Sequence, residues 1–356
     1  MKLHVLSGFL GSGKTTAIQL ACMELAKKGI RTAVITNDQG MKLVDSAFFR
    51  KRKIPLRQVI NGCFCCNFSK LEYSIISLLE TERPDEIFAE SVGSCTDIVA
   101  TVIRPLMDHD PGAAISFSVF ADARLLYLFL SGNPDFFQEN VKYIYSKQLE
   151  ESTLLVVNKI DLVSPGLLAG LKKFLQEKYP GKVFLFQNSL DEISVAKWMQ
   201  TIQEPGSTLG LPQMEVDYDT YAAGEASLAW LDQELEFYSP VRRAANEAIR
   251  FVNALYNRIR QSRYPIGHLK FILDDDIKIS FASTSDQEVS EDLVRKNSEF
   301  SRLLINARVQ TDPDSLSLVV SEVIREMEPN AHIKITNLGS NAFKPAYPSP
   351  EFRIPS

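Results

Sequence analysis

The chain has 356 residues, 45% of them hydrophobic and 23% charged, with a net charge of −5. This length suggests two domains, and the apolar share suffices for ordinary cores. The acidic balance excludes a general nucleic-acid binder, which carries a basic face. No apolar run reaches membrane-spanning length, and the first residues lead straight into a strand pattern rather than a secretion signal, so a cytoplasmic protein is expected.

The apolar run Leu3 to Leu6 leads into Gly8-Phe9-Leu10-Gly11-Ser12-Gly13-Lys14-Thr15-Thr16 and then a helical pattern with Ile18, Leu20, Ala21, Leu25 and Ala26. Strand, glycine-rich loop and helix together are the setting of a phosphate-binding loop. Gly8, Gly11 and Gly13 let successive N–H groups face one anion, and the helix start adds positive charge. Lys14 is expected to reach the β/γ-phosphates and the Thr15 hydroxyl to hold Mg²⁺. Arg31 to Thr36 reads as a second strand ending at Asn37-Asp38-Gln39-Gly40, where Asp38 is a candidate for Mg²⁺ or the attacking water. The run Arg50-Lys51-Arg52-Lys53 reads as a solvated face.

A short strand at Gln58 to Ile60 runs into Asn61-Gly62-Cys63-Phe64-Cys65-Cys66, with a helix from Phe68. Three of the five cysteines lie within four positions, which suits a soft or borderline ion such as Zn²⁺, Co²⁺ or Cu⁺ better than a disulfide framework. Buried small hydrophobes or a redox pair are the other readings of that cluster. Cys22 reads as core, and Cys95 is left open. Glu86 to Ala89 is a strand ending at Glu90-Ser91-Val92-Gly93. There Glu90 is placed to hold Mg²⁺ directly or through water, and Gly93 to let the backbone approach the γ-phosphate. Ser94 or Thr96 is expected to cap a helix that stops before Pro105.

Ala114 to Ala121 is a strand tipped by Asp122, and Leu154 to Val157 is a central strand tipped by Asn158-Lys159-Ile160-Asp161. A carboxylate at Asp161 would accept from the N1–H and amino group of guanine, which adenine cannot satisfy. Strands alternating with helices predict an α/β fold, a mostly parallel sheet covered on both faces, over 1–205. Residues 206–225 read as a linker, 226–336 as a smaller α+β domain, and the proline-bearing tail 337–356 as extended or loose. The histidines and both tryptophans read as structural.

These motifs, in this order, resemble the CobW/HypB/UreG family of P-loop GTPases, and within it the CobW-like proteins. The resemblance rests on Gly8 to Thr15, Asn37-Asp38-x-Gly40, Asn61 to Cys66, Glu90-x-x-Gly93, Asp122-Ala123 and Asn158-Lys159-x-Asp161. It implies GTP binding and hydrolysis to GDP with Mg²⁺, coupled to delivery of a transition metal, Zn²⁺ or Co²⁺, from Cys63, Cys65 and Cys66 to a metalloenzyme or cofactor-pathway client. Lys14, Asp38 and Glu90 become the catalytic set, and a homodimer is compatible with the class. Asp38 stands where the family usually has Glu. The alternative is a GTP-dependent remodeller of a metallo- or corrinoid enzyme that carries no metal itself.

Overall fold

The computed structural model describes residues 1–38, 46–134, 136–204, 210–285, 287–294, 297–328 and 333–355. The second half of the Asn37-Asp38-x-Gly40 motif and His332 lie outside them. Contacts divide the chain into two units, one of residues 1–39, 48–224 and 346–356, the other of 40–47 and 225–345.

In the first unit the order is β1 (Lys2–Ser7), α1 (Lys14–Lys27), β2 (Thr32–Asn37), α2 (Ser46–Lys51), β3 (Leu56–Val59), α3 (Phe68–Thr81) and β4 (Glu86–Glu90). After a wide π-turn (Val99–Ile103) come α4 (Arg104–His109), β5 (Ala114–Asp122), α5 (Ala123–Leu130) and α6 (Glu139–Glu151). The unit continues with β6 (Leu154–Asn158), α7 (Pro165–Lys178), β7 (Val183–Gln187), α8 (Glu192–Gln203) and α9 (Tyr218–Ala226). All seven strands are parallel in the order β3-β2-β4-β1-β5-β6-β7. Every residue of β2 and β6 is buried, as expected of strands covered on both faces. One cluster joins α1 and α8 through Ile18, Ala21, Leu25, Val195 and Trp198 to Phe88 and Phe120. Because the strands are parallel, their carboxyl ends share one edge, where Ser7, Asn37, Glu90, Asp122 and Asn158 all stand.

The second unit orders β8 (Ala229–Tyr238), α10 (Ala244–Gln261), β9 (Ile266–Leu273), β10 (Ile277–Phe281), β11 (Phe300–Val309), α11 (Pro313–Met327) and β12 (Lys334–Phe343). Its antiparallel sheet runs β10-β9-β11-β8-β12. Leu231, Leu235 and Phe237 join the core formed with Phe251, Leu255 and Val320 of the helices. On alternate positions, buried Arg308 pairs with Asp232 at 2.9 Å and lies over the Trp230 ring.

Three expectations need correction. Residues 218–225 of the expected linker lie in α9, whose Gly224 lies so close to the Asn140 carbonyl that an added Cβ would sit 2.5 Å from it. The expected loose tail begins instead as β12, paired with β8 from Lys334 to Phe343; its polar, glycine-containing sequence takes its order from the neighbouring strand. The first amides of the next helix are not met by the expected Ser94 or Thr96 hydroxyl. Buried Glu151 of α6 accepts the amides of Ile98 (2.8 Å) and Val99 (3.5 Å) instead. Pro105 is tolerated because it falls in the first turn of α4, where a missing N–H costs least, and the Ala100 carbonyl accepts from Ile354 N at 2.8 Å instead.

Candidate functional site

The phosphate loop folds as its glycines require. Gly13 has φ 92°, and an added Cβ would lie 2.3 Å from Asn158 Nδ2. The Lys14 ammonium turns back over the loop and donates to the carbonyls of Gly8 (2.6 Å) and Phe9 (3.4 Å). Gly11 lies in the same turn with φ 73°, and Thr16 sits half-buried in the first turn of α1. The Ser12 hydroxyl is buried and makes no hydrogen bond among the described residues, a donor that a phosphate oxygen would satisfy. The Thr15 hydroxyl donates to Glu90 Oε1 at 2.9 Å. The two residues expected to hold Mg²⁺ thus lie in contact although 75 positions apart in the chain. Gly93 is a close-approach glycine, since an added Cβ would meet Leu10 N at 2.9 Å. Glu90 and Gly93 therefore fasten the end of β4 to the phosphate loop.

At the Asn158-Lys159-x-Asp161 motif, Asn158 Nδ2 donates to the Ser12 carbonyl (2.8 Å), and Asn158 Oδ1 accepts from the amide (3.0 Å) and hydroxyl (2.9 Å) of Ser189. Lys159 takes a left-handed conformation, φ 62°, and its ammonium pairs with Asp122 at 2.9 Å. Asp122 in turn caps α5 by accepting from Arg124 N and Leu125 N. Asp161 is exposed in the following turn, open to a ligand. Asp38 is half-buried just beyond β2, its amide bonded to the Val59 carbonyl.

The thiol loop hangs on Asn37. The Asn37 amide donates to the carbonyls of Val59 (3.0 Å) and Gly62 (2.7 Å), and its oxygen accepts from Phe64 N at 2.7 Å. The Cys63, Cys65 and Cys66 sulfurs then lie 2.7, 3.2 and 3.7 Å from one another. Cys63 and Cys65 are buried and Cys66 is half-buried. Hydrogen bonds from Cys65 and Cys66 pull the Cys63 thiol well below the usual range. The same bonds, with burial, raise Cys65 well above it and push Cys66 up to about 12. Three soft donors converging on one point fit a thiophilic divalent cation, whose charge would draw off the remaining protons.

Two features of this region escaped the sequence reading. The first is Cys95, fully buried, whose side chain hydrogen-bonds those of Cys63 and Cys65. Gln148 of α6 fixes its turn by donating to the carbonyls of Gly93 (3.1 Å) and Cys95 (2.7 Å). The second is the segment 346–355. Ser349 N donates to Cys66 Sγ at 3.2 Å and Glu351 N to the Cys65 carbonyl at 2.9 Å, while the Glu351 carboxylate accepts from Ser69. Phe352 packs edge-on against Phe68, and Arg353 pairs with buried Asp97 at 2.8 Å. Asp97 is itself held at φ 63° and also accepts from Tyr218. A cysteine beside a phosphate-edge glycine was the available signal for the first feature. Nothing local signalled the second.

No helix among the described residues is long and apolar enough to cross a membrane. Comparison with known proteins matches residues 2–186 to the CobW/HypB/UreG nucleotide-binding domain. The zinc chaperone YeiR of Escherichia coli is 27% identical over 183 residues, 49% of this chain and 52% of that protein. The zinc chaperone YjiA of the same organism is 33% identical over 110 residues, 30% and 34% of the two chains. The chain thus spans about half or less of the length of these two relatives. The urease accessory protein UreG of Metallosphaera sedula is 28% identical over 187 residues, 48% of this chain and 76% of that protein. The crystal structure of HypB from Helicobacter pylori in complex with nickel aligns at TM-score 0.43, 18% identical, over 61% of this chain and 92% of that one. With a match covering more than half of its 356 residues, the chain belongs to the CobW/HypB/UreG family.

Proposed function

We propose that the protein binds GTP with Mg²⁺, hydrolyses it to GDP and phosphate, and uses the nucleotide state to capture a transition metal, Zn²⁺ foremost, and hand it to a client protein. Gly8, Gly11, Ser12, Gly13, Lys14 and Thr16 would cradle the phosphates, and Asp161 with Asn158 and Lys159 would form the guanine rim. Thr15 and Glu90 would hold Mg²⁺, which, when bound, offsets phosphate charge. Asp38 would orient the attacking water. Cys63, Cys65 and Cys66 would hold the transferred metal. The zinc chaperone relatives and the converging thiols support this reading.

One observation carries it. The stretch from Glu90 to Cys95 touches the phosphate loop at one end, through Thr15 and Leu10, and the thiols at the other, through Cys63 and Cys65. A shift of that stretch on loss of the γ-phosphate would disturb the thiols, an order–disorder switch of the kind GTPases use.

The test is a Zn²⁺ titration by chelator competition, with and without a non-hydrolysable GTP analogue. Coupling of the usual size would change Zn²⁺ affinity by about 5- to 150-fold, and Zn²⁺ would change analogue affinity by the same factor. Equal Zn²⁺ affinity in both arms would sink the proposal.

A further inference from the structure

We propose that Cys95 supplies a fourth thiolate to the metal held by Cys63, Cys65 and Cys66, so that the bound ion bridges the thiol loop to the stretch carrying Glu90 and Gly93. This rests on the metal-carrier reading above and extends it to a residue outside the contiguous motif. Three thiols on one short loop leave a tetrahedral ion such as Zn²⁺ one ligand short. The geometry points to the missing donor. Cys95 is fully buried and its side chain hydrogen-bonds Cys63 and Cys65, while its sulfur stands outside the trio that lies within 4.8 Å of one another, so a bound ion would have to draw it in. Gln148 anchors the carbonyls on both sides of its turn, and Cys95 N bonds the Val92 carbonyl at 3.1 Å. The turn is therefore held in position before any ion arrives. Cys22, also buried, belongs instead to the core cluster of α1 and α8.

The arrangement is layered. Cys95, Cys65 and Cys63 are buried, while Cys66 is half-buried and accepts from Ser349 N. An entering ion would meet Cys66 first and Cys95 last. Each sulfur binds as the thiolate, any proton it still carries passing to solvent, so four ligands and one Zn²⁺ leave a site of charge −2. The consequence is mechanical. Cys95 is the ligand contributed by a different segment, the one whose Gly93 lies against Leu10 of the phosphate loop. Movement there withdraws one sulfur and opens the coordination sphere, turning a closed, retentive site into an open one from which a client can take the metal.

The decisive measurement is X-ray absorption on the full-length wild-type chain loaded with Zn²⁺ alone, paired with Co²⁺ titration of wild type and Cys95→Ser. Four sulfurs around zinc are expected. In Cys95→Ser the sulfur-to-cobalt charge-transfer intensity is expected to fall by about a quarter, one thiolate of four. Zn²⁺ affinity is expected to drop at least about 100-fold, since losing even a supporting partner of a metal ligand costs about 10- to 100-fold. A wild-type zinc shell of three sulfurs plus a lighter atom overturns the inference and leaves the carrier reading standing. So does a Cys95→Ser protein with undiminished charge transfer and affinity. A wild-type protein with no sulfur charge transfer at all overturns both. Should Cys95→Ser fail to melt cooperatively, the wild-type sulfur count decides alone.

Discussion

In the phosphate loop, consecutive residues from Gly8 to Thr16 form nearly the whole device, and distant residues serve only to brace it: Glu90 on Thr15, Gly93 against Leu10, Asn158 on Ser12. The thiol region is assembled differently. Its loop is suspended from Asn37, its inner side is met by Cys95 on another segment, and its outer side receives amides from residues 349 and 351, more than 280 positions away in sequence. The difference teaches which part can move. A loop closed by its own backbone keeps its shape as surrounding segments shift, whereas a site shared among three segments changes whenever one of them does.

The strongest way to break the comparison is Lys14→Ala. If the phosphate loop works as one local device, GTP turnover falls by about 100- to 1,000-fold or more, the scale of losing one preorganised charge partner. Metal binding without nucleotide stays at the wild-type level. Steady-state phosphate release together with metal titration reads both. Unchanged turnover would remove the nucleotide assignment. Asp161→Asn comes next. If this exposed carboxylate is the acceptor that reads guanine, leaving the base's donors unpaired costs about 1–3 kcal/mol, or roughly 10- to 100-fold in preference for GTP over ATP. Competition binding measures it, and an unaltered ratio would place base reading elsewhere.

Acidity sharpens the thiol side. Cys65 sits well above the usual thiol range and Cys66 at about 12, so both are protonated at neutral pH and must lose a proton to bind metal. Capture therefore strengthens as pH rises, by about tenfold in apparent affinity per unit for each proton expelled. Nucleotide affinity measured over the same range serves as the internal reference. Zn²⁺ affinity that stays flat from about pH 6 to 8 would exclude these thiols as the ligands. The smallest expected effect is Arg353→Ala. It removes a partly exposed cation from Asp97, which keeps its bond from Tyr218, at a cost of about 1 kcal/mol in a denaturant melt. A loss near zero would mean that residues 346–355 are held chiefly by Phe352 and the backbone bonds.

How much of this was legible follows the same division. The phosphate loop, the Asn158-Lys159-x-Asp161 string and the three clustered cysteines are contiguous strings that can be read from spacing alone, and the parallel sheet follows from alternating elements. Cys95 was not assigned, because an isolated cysteine has no spacing to read and its partners lie about thirty positions upstream. Glu151 replaced the expected cap because a buried carboxylate from α6 can satisfy amides that no local side chain reaches. Its burial near Asp97 raises it well above the ordinary carboxylate range. The stretch after Asn337 looked loose because proline and small polar residues contribute little order by themselves. What orders it is a neighbouring strand up to Phe343, then Cys65, Cys66, Ser69 and Asp97. Composition reports local preference and is silent about distant partners.

Asn158 has a consequence for anyone measuring this protein. Its amide links Ser12 to Ser189, so the glycine-rich loop and the turn after β7, the proposed seats of the phosphates and the base, are braced together before any ligand arrives. A substitution there would loosen both ends of the binding cleft together. An affinity assay would score that as lost base recognition, while a calorimetric scan in plain buffer would register the same lesion with no nucleotide in the cell.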